Sequence, residues 1–235
     1  MEVEYVPKHI GIIMDGNRRF SKRLMMKPWK GHEWGAEKVK KVLEWCRDFE
    51  IKELTLYSFS YQNFKRPKEE FDHLMNIFIQ NFRELNEKSD KLSENGIKIN
   101  VIGRTWLFPE ELQEEIKKIM DNTKENSEYI INFAMAYGGQ EEIVDAAKKI
   151  AERVKDGELE IDKINKEIFS ENLYMNHEPD IIIRTGGEKR TSNFLPFQSA
   201  YSEWFYVEKM WPEFEKEDFS QIIESFSMRK RRFGK

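Results

Sequence analysis

The chain has 235 residues, 39% of them hydrophobic and 35% charged, with a net charge of −4, a size that suits one compact α/β domain or two small ones. The acidic balance gives no bulk electrostatic case for nucleic acid, and the single cysteine, Cys46, excludes an internal disulfide and favours an intracellular compartment. The N-terminal MEVEYVPKH lacks the basic and apolar regions of a signal peptide, and no apolar run approaches the roughly 18 residues of a membrane span, so the expectation is a cytoplasmic protein with at most peripheral contact to the inner face of a membrane.

Ile10–Met14 reads as a buried strand that breaks at Asp15-Gly16-Asn17, with Arg18 and Arg19 at the head of a helix. Glu33–Phe49 reads as a helix with Val39, Val42, Leu43, Cys46 and Phe49 on one face. Leu54–Phe59 is a second strand. Pro67 opens a long helix through Phe71, Leu74, Met75, Phe78, Phe82 and Leu85, fading towards Leu92 and stopped by Asn95-Gly96. Ile97–Ile102 alternates like a strand, and Pro109 begins a helix with Leu112, Ile116 and Ile119 inward. Tyr129–Tyr137 is a fourth strand ending at Gly138-Gly139, before a helix through Ile143, Val144, Ala147, Ile150 and Val154. Ile161–Met175 reads as helical, Asp180–Arg184 as a short apolar strand and Ala200–Val207 as a final strand. Phe219, Ile222, Ile223 and Phe226 mark a last helix that runs into RKRRFGK.

Strands alternating with helices predict an α/β chain, 1–235 as one domain, with a mostly parallel sheet covered on both faces. Ligands in such sheets sit beyond the carboxyl ends of the strands. Four loops share that rim: Asp15–Asn17, Ser60–Arg66, Gly138-Gly139 and Arg184–Ser192. The first offers a carboxylate, a helix start and two arginines, a donor set for phosphate and Mg²⁺. Taken alone it is better read as an ordinary turn with Asp15 capping the helix. In the fourth, paired glycines free backbone donors beside Arg184, Arg190 and Ser192, the composition of a second phosphate cradle, although a plain surface turn fits about as well. His32 at a helix start can donate to phosphate; His9, His73 and His177 have no metal-ligand spacing. The chain has no P-loop, no Gly-x-Gly-x-x-Gly after the first strand, no Gly-x-Ser-x-Gly elbow and no Asp-Asp pair.

In order, HIGIIMDGNRRF, KGHEWGAEKV, LTLYSFSYQNFKRP, INFAMAYGG, IIIRTGGEKRTSNFLPFQSAYSEWFY and WPEF resemble the motifs of the cis-prenyltransferases, the (Z)-polyprenyl diphosphate synthases. The resemblance runs from His9 to the chain end, and DGNRRF with NFKRPKEEF is closer to the archaeal and eukaryotic branch than to the bacterial one. It implies a homodimer with an elongated hydrophobic tunnel. It also implies a Mg²⁺-dependent reaction that extends an allylic diphosphate, farnesyl or geranylgeranyl, with isopentenyl diphosphate, each new double bond cis, giving a lipid-carrier precursor. By resemblance Asp15 holds Mg²⁺ with Glu203 as the second acid. Gly16, Asn17, Arg18, Arg19 and His32 cradle the allylic diphosphate, and Phe20 lies beside its chain. Asn63, supported by Ser60, assists proton removal; as a neutral amide is a poor base, water or pyrophosphate is the alternative acceptor. Tyr61, Gln62, Phe64 and Arg66 flank the substrates, and Arg184, Arg190, Thr191 and Ser192 bind isopentenyl diphosphate. Arg232-Phe233-Gly234 spells an ending that in this family reaches the partner's active site.

Three departures stand out. Pro28 replaces an arginine usual in bacterial members, whose contact is lost or passes to Lys27 or Lys30, and Tyr61 and Gln62 replace a serine and an acid. Tyr129 lies near where the family sets tunnel depth, so Tyr129→Ala is expected to lengthen products. Two competing readings are a non-catalytic partner subunit and a lipid- or nucleic-acid-binding module using the basic end. The presence of Asp15, Asn17 and Arg19 argues against the first, and the net charge of −4 argues against nucleic acid.

Overall fold

A computed structural model describes residues 6–228; the Arg229–Arg232 run and the Arg232-Phe233-Gly234 ending lie outside them. Six strands form one sheet: β1 (His9–Ile13), β2 (Glu53–Ser60), β3 (Ile97–Ile102), β4 (Tyr129–Tyr137), β5 (Ile181–Arg184) and β6 (Glu203–Tyr206), in the order β3-β4-β2-β1-β5-β6. Every neighbouring pair is parallel. Parallel neighbours need crossovers, which is why helices alternate with strands. All residues of β1 and β5 are buried, as suits isoleucine-rich strands covered on both faces.

The helices are α1 (Asn17–Arg23), α2 (Pro28–Asp48), α3 (Lys68–Glu87), α4 (Ser89–Glu94), α5 (Glu110–Thr123), α6 (Gly139–Lys155), α7 (Lys166–Glu171) and α8 (Lys216–Ser227). On one face, Ile10, Ile12, Leu54, Leu56, Ile181 and Ile183 pack against Val42 and Trp45 of α2 and Phe219 and Ile223 of α8. Next to them Ile99, Val101, Ile131 and Met135 pack against Leu74, Phe82, Leu112 and Ile116 of α3 and α5. On the other face Ile13, Ile182 and Tyr137 meet Met175, Phe194 and Leu195, beside α6. Each fully buried large apolar side chain contributes roughly 1.5–3 kcal/mol.

Some elements depart from expectation. Helix α2 starts at Pro28, more than a turn before Glu33, because proline suits the first helical position. Ile161–Met175 is helical only over a 3₁₀ turn at Ile161–Lys163 and α7. Asn165 caps the start of α7 through a 2.9 Å bond from the Ile168 amide. Beyond Asn172 the Tyr174 amide donates instead to the Glu142 carboxylate at 2.8 Å. In α6 the buried line is Gly139, Glu142, Ala146 and Ile150, while Val144 is 49% exposed. Glu142 can take an inward position because Tyr137, Gln198 and two backbone amides bind it; burial still holds its pKa above the usual carboxylate value.

Candidate active site

The carboxyl end of β1 is pinned from two sides. The Asp15 carbonyl accepts from Thr185 Oγ1 at 2.8 Å and from the Trp211 amide at 2.9 Å. Gly16 turns the chain at φ 109°, and a Cβ there would sit 2.7 Å from that of Met210. Gly16, not Asp15, is the cap of α1, so the ordinary reading of Asp15 as a helix cap does not hold. Its carboxylate instead meets Arg184 Nη2 at 2.8 Å and Arg19 Nη2 at 3.2 Å. Helix α1 lies close on α2: Gly35 faces the Asn17 side chain, and a Cβ at Gly31 would fall 2.0 Å from the Asn17 carbonyl oxygen.

A second anchor joins two arginines and a histidine. Glu70, one turn after Arg66, is 4% exposed and binds Arg66 Nη1. Arg18 Nε lies 3.4 Å and His32 Nε2 3.5 Å from the same carboxylate oxygen. His32, with Arg66 and Arg18, holds Glu70 at about 2, so it is ionised at any working pH. Burial keeps His32 below the ordinary imidazole value, hence neutral near pH 7. Sequence reasoning missed Glu70, although its position four residues after Arg66, at the start of a helix, is a readable signal.

The loop after β5 is organised by Arg184. This 3%-exposed side chain donates to Asp15, to Ser192 Oγ at 2.6 Å and to the Arg190 carbonyl. The Gly186 and Gly187 amides do not point at a ligand, since they donate to the Lys209 and Val207 carbonyls at 2.7 and 2.9 Å. The expected glycine cradle is therefore corrected to a side-chain set, Arg190 and Ser192. The Gly138-Gly139 loop is scaffolding too: the Gly139 and Gln140 amides hold the Asn193 carbonyl and side chain. Tyr57, which sequence reasoning also missed, reaches the Tyr137 and Ser192 carbonyls at 3.2 and 3.3 Å and stacks on Phe194. Ser60 and Asn63 cap their own turn, with Asn63 Oδ1 accepting from the Ser60 amide at 3.0 Å.

These groups line two adjoining cavities. One, of about 510 Å³, is bounded by Asp15, Arg18, Arg19, Lys22, His32 and Arg66. The other, of about 570 Å³, is bounded by Asp15, Tyr57, Ser60, Gln62, Asn63, Arg66, Arg184, Arg190, Ser192 and Asn193. Asp15 is the lone carboxylate among these walls against six cationic side chains, a field for a polyanion in a protein of net negative charge. A third cavity of about 300 Å³ shares Met14, Asn17 and His32 with both. It runs between α2 and α3 past Val39, Leu43, Leu74, Phe78, Phe82 and Phe133 to Lys40, Glu84 and Lys88. The cation-rich rim thus opens directly onto an apolar one.

The undecaprenyl diphosphate synthase model of the prenyltransferases matches residues 13–234. The chain belongs to this family of cis-prenyltransferases. It is 48% identical over 232 residues to the geranylgeranyl-diphosphate-specific tritrans,polycis-undecaprenyl-diphosphate synthase of Pyrococcus horikoshii, covering 98% of this chain and 88% of that one. The Methanocaldococcus jannaschii protein of the same description is 45% identical over 239 residues, covering 100% and 85%. Lavandulyl diphosphate synthase from Lavandula x intermedia, solved with dimethylallyl diphosphate, superposes with a TM-score of 0.92 at 34% identity over all of both chains. The archaeal relatives agree with the branch read from the motifs, and the chain is a prenyltransferase.

As a cis-prenyltransferase the chain places several expected residues away from the cavities. Glu203 begins β6, paired with Ile181, while Tyr206 pairs with Arg184 at the rim. Three residues of strand separate those levels by roughly 10 Å, and Asp15 lies beyond Ile13, the β1 partner of Arg184. Within one chain Glu203 therefore cannot share an ion with Asp15. Phe20 packs edge-to-face on Trp34 at 5.4 Å, and Phe64 joins Phe59, Phe71 and Phe108 beneath the Ser60–Arg66 loop. Tyr61 covers Arg104, and Thr191 is an exposed turn residue. Tyr129 lies outside the apolar walls under Lys52 Nζ, 4.4 Å from its ring. The rings that narrow the cavity are Phe133 and Phe82, 5.7 Å apart. Where Pro28 stands, Lys22 supplies the cation on the cavity wall; Lys30 is bound to Glu33 and Lys27 lies over Trp29.

Proposed function

We propose that this prenyltransferase extends geranylgeranyl diphosphate with isopentenyl diphosphate, forming cis double bonds and releasing a polyprenyl diphosphate of the kind used as a lipid-carrier precursor. The carrying observation is the junction at Met14, Asn17 and His32, where the cation-rich cavities meet the apolar one. An allylic diphosphate needs both environments at once: donors for its head and a dry channel for its chain. The geranylgeranyl preference follows the names of the archaeal relatives.

In this reading Arg18, Arg19, His32 and Arg66 bind the allylic diphosphate, and Arg190 and Ser192 bind isopentenyl diphosphate. The carbon–oxygen bond of the allylic diphosphate breaks, and the arginines stabilise the leaving oxygens. The isopentenyl double bond attacks the allylic carbon, and a proton leaves the adjacent methylene. Asn63 Oδ1 is already held by the Ser60 amide, so this side chain offers its N–H₂ to substrate oxygen and orients it. The proton passes to the departing pyrophosphate or to water. Asp15 fits Mg²⁺, because its carboxylate reaches the cavity and this ion typically takes one or two carboxylates plus water and phosphate oxygens. Bound there, magnesium would neutralise charge on the diphosphate.

Purified protein with Mg²⁺, labelled isopentenyl diphosphate and allylic primers of different length tests the reading, with products resolved by chain length. Incorporation highest with geranylgeranyl diphosphate is the expected result; no incorporation with any primer would refute it. Phe133→Ala should yield longer chains than the parent, and unchanged lengths would remove Phe133 from the wall that limits them.

A further inference from the structure

The turn between α1 and α2 exposes Leu24, Met25 and Met26 at 46%, 96% and 42%. Its backbone is fixed: the Met26 amide donates to the Ser21 carbonyl at 2.9 Å and the Met25 amide to the Lys22 carbonyl at 3.0 Å. This is the closing bond pair of a helix whose next residue is left-handed, a place where glycine is usual. Here it is Met25, at φ 54°, an L-residue in a disfavoured conformation holding a bare apolar side chain outward. Along the segment itself the charge has one sign. Residues 16–32 contain Arg18, Arg19, Lys22, Arg23, Lys27 and Lys30 and no Asp or Glu, in a chain of net charge −4. Arg23 is bound to Glu213 at 2.5 Å and Lys30 to Glu33 at 2.7 Å.

We propose that the Leu24–Met26 turn docks on an anionic lipid bilayer, the three apolar side chains entering the surface and Lys22 and Lys27 meeting the headgroups. Apolar residues ringed by cations match a bilayer interface, where burial and attraction to anionic lipid add. A second copy of the turn would set like charges against each other, and three side chains on a convex tip offer a folded protein no pocket. Lys22, Met26 and Pro28 also line the cavity that holds Asp15 and Arg19. Docking therefore brings that cavity to the headgroup level, where a membrane-anchored prenyl diphosphate presents its phosphates. That last consequence rests on the proposed synthase reading; the docking itself does not.

The test is flotation of the full chain with vesicles of phosphatidylglycerol and phosphatidylcholine in equal parts, against phosphatidylcholine alone. Binding only to the anionic vesicles, weakened by salt, is expected. The Leu24→Ser/Met25→Ser protein should partition at least about tenfold less, from the loss of two apolar side chains, with an unchanged circular dichroism spectrum. Because Cys46 is fully buried, a Met25→Cys protein can be labelled selectively with an environment-sensitive dye, whose emission should shift to the blue on anionic vesicles. Failure of the parent chain to float, equal flotation of the serine variant, or an unmoved emission would each overturn the inference. A protein that elongates primers but never floats overturns docking alone, and one that floats without incorporation overturns only the synthase reading.

Discussion

At the carboxyl ends of β1 and β5, Asp15, Arg184, Arg66 and His32 gather around open space. Lower on the same sheet, on the face away from the apolar cavity, His9, Thr55, Asn132, Glu53 and Asn100 gather around one another. His9 Nε2 meets Thr55 Oγ1 at 2.8 Å, Asn132 Nδ2 meets Glu53 at 2.7 Å, and Asn100 Nδ2 meets Asn132 Oδ1 at 2.9 Å. The clusters share a backbone and a residue palette but differ in closure. At the rim, Asn17 Oδ1, Arg66 Nε and Arg184 Nε are buried without a hydrogen-bond partner; in the lower cluster only His9 Nδ1 is. Buried polar atoms are expensive to leave unpaired, so the open cluster is the one built for a ligand and the closed one for stability.

Mutation should separate the two. At the rim, Asp15→Ala is expected to cut turnover by about 10²–10³-fold or more, the scale of losing one group that stabilises transition-state charge, while circular dichroism shows a folded chain. Near-normal turnover would remove Asp15 from its role. In the closed cluster Asn132→Leu breaks the bonds to Asn100, Glu53, Thr55 and Met175 at once and should cost about 2–3 kcal/mol, a Tm lower by about 5–10 °C, with kcat unchanged in the folded protein. A large kcat loss there would erase the distinction. Glu70→Gln keeps the shape but frees Arg66 and Arg18. It should raise KM for the allylic diphosphate about tenfold, equivalent to about 1.4 kcal/mol, and change kcat less; an equal fall of both parameters would assign Glu70 to the chemical step instead.

The smallest effect is in pH. Burial lowers the pKa of both His9 and His32 from 6.5, so near and below that pH the unfolded chain binds protons that the folded chain does not. Stability should therefore fall as pH drops through this range. His177 works the other way, since Glu53 raises its pKa and its contribution is lost as pH rises, but it is half exposed and weaker for it. Thermal unfolding of the parent and His9→Asn proteins between pH 5 and 8 measures the slope, which the variant should flatten; parallel curves would contradict a buried neutral His9.

Much of this site was readable before any coordinates. Strand-end loops carrying Asp15, Asn17, Ser60, Arg66, Arg184 and Ser192 follow from period and punctuation, and a parallel sheet obliges such loops to share one rim. Ile97–Ile102 and Tyr129–Tyr137 were legible to the residue because the first alternates between Gly96 and Gly103 and the second is an apolar stretch closed by Gly138-Gly139. What local pattern could not supply was which donors were already spent. The Gly186 and Gly187 amides are consumed by the distant carbonyls of Lys209 and Val207, and Glu142 looks like a surface residue until Tyr137 and Gln198 enclose it.

By itself the sequence determined the alternation of strands and helices, the loops that reach the rim, and the family, because these depend on local periodicity and on motifs in chain order. Only the tertiary structure decided that Arg184 covers Asp15, that Glu70 gathers Arg18, Arg66 and His32, and that Glu203 starts its strand at the far end from the site. Those outcomes are set by strand register and by pairings across the whole chain, where one residue of slip or one competing carbonyl changes which atoms remain free.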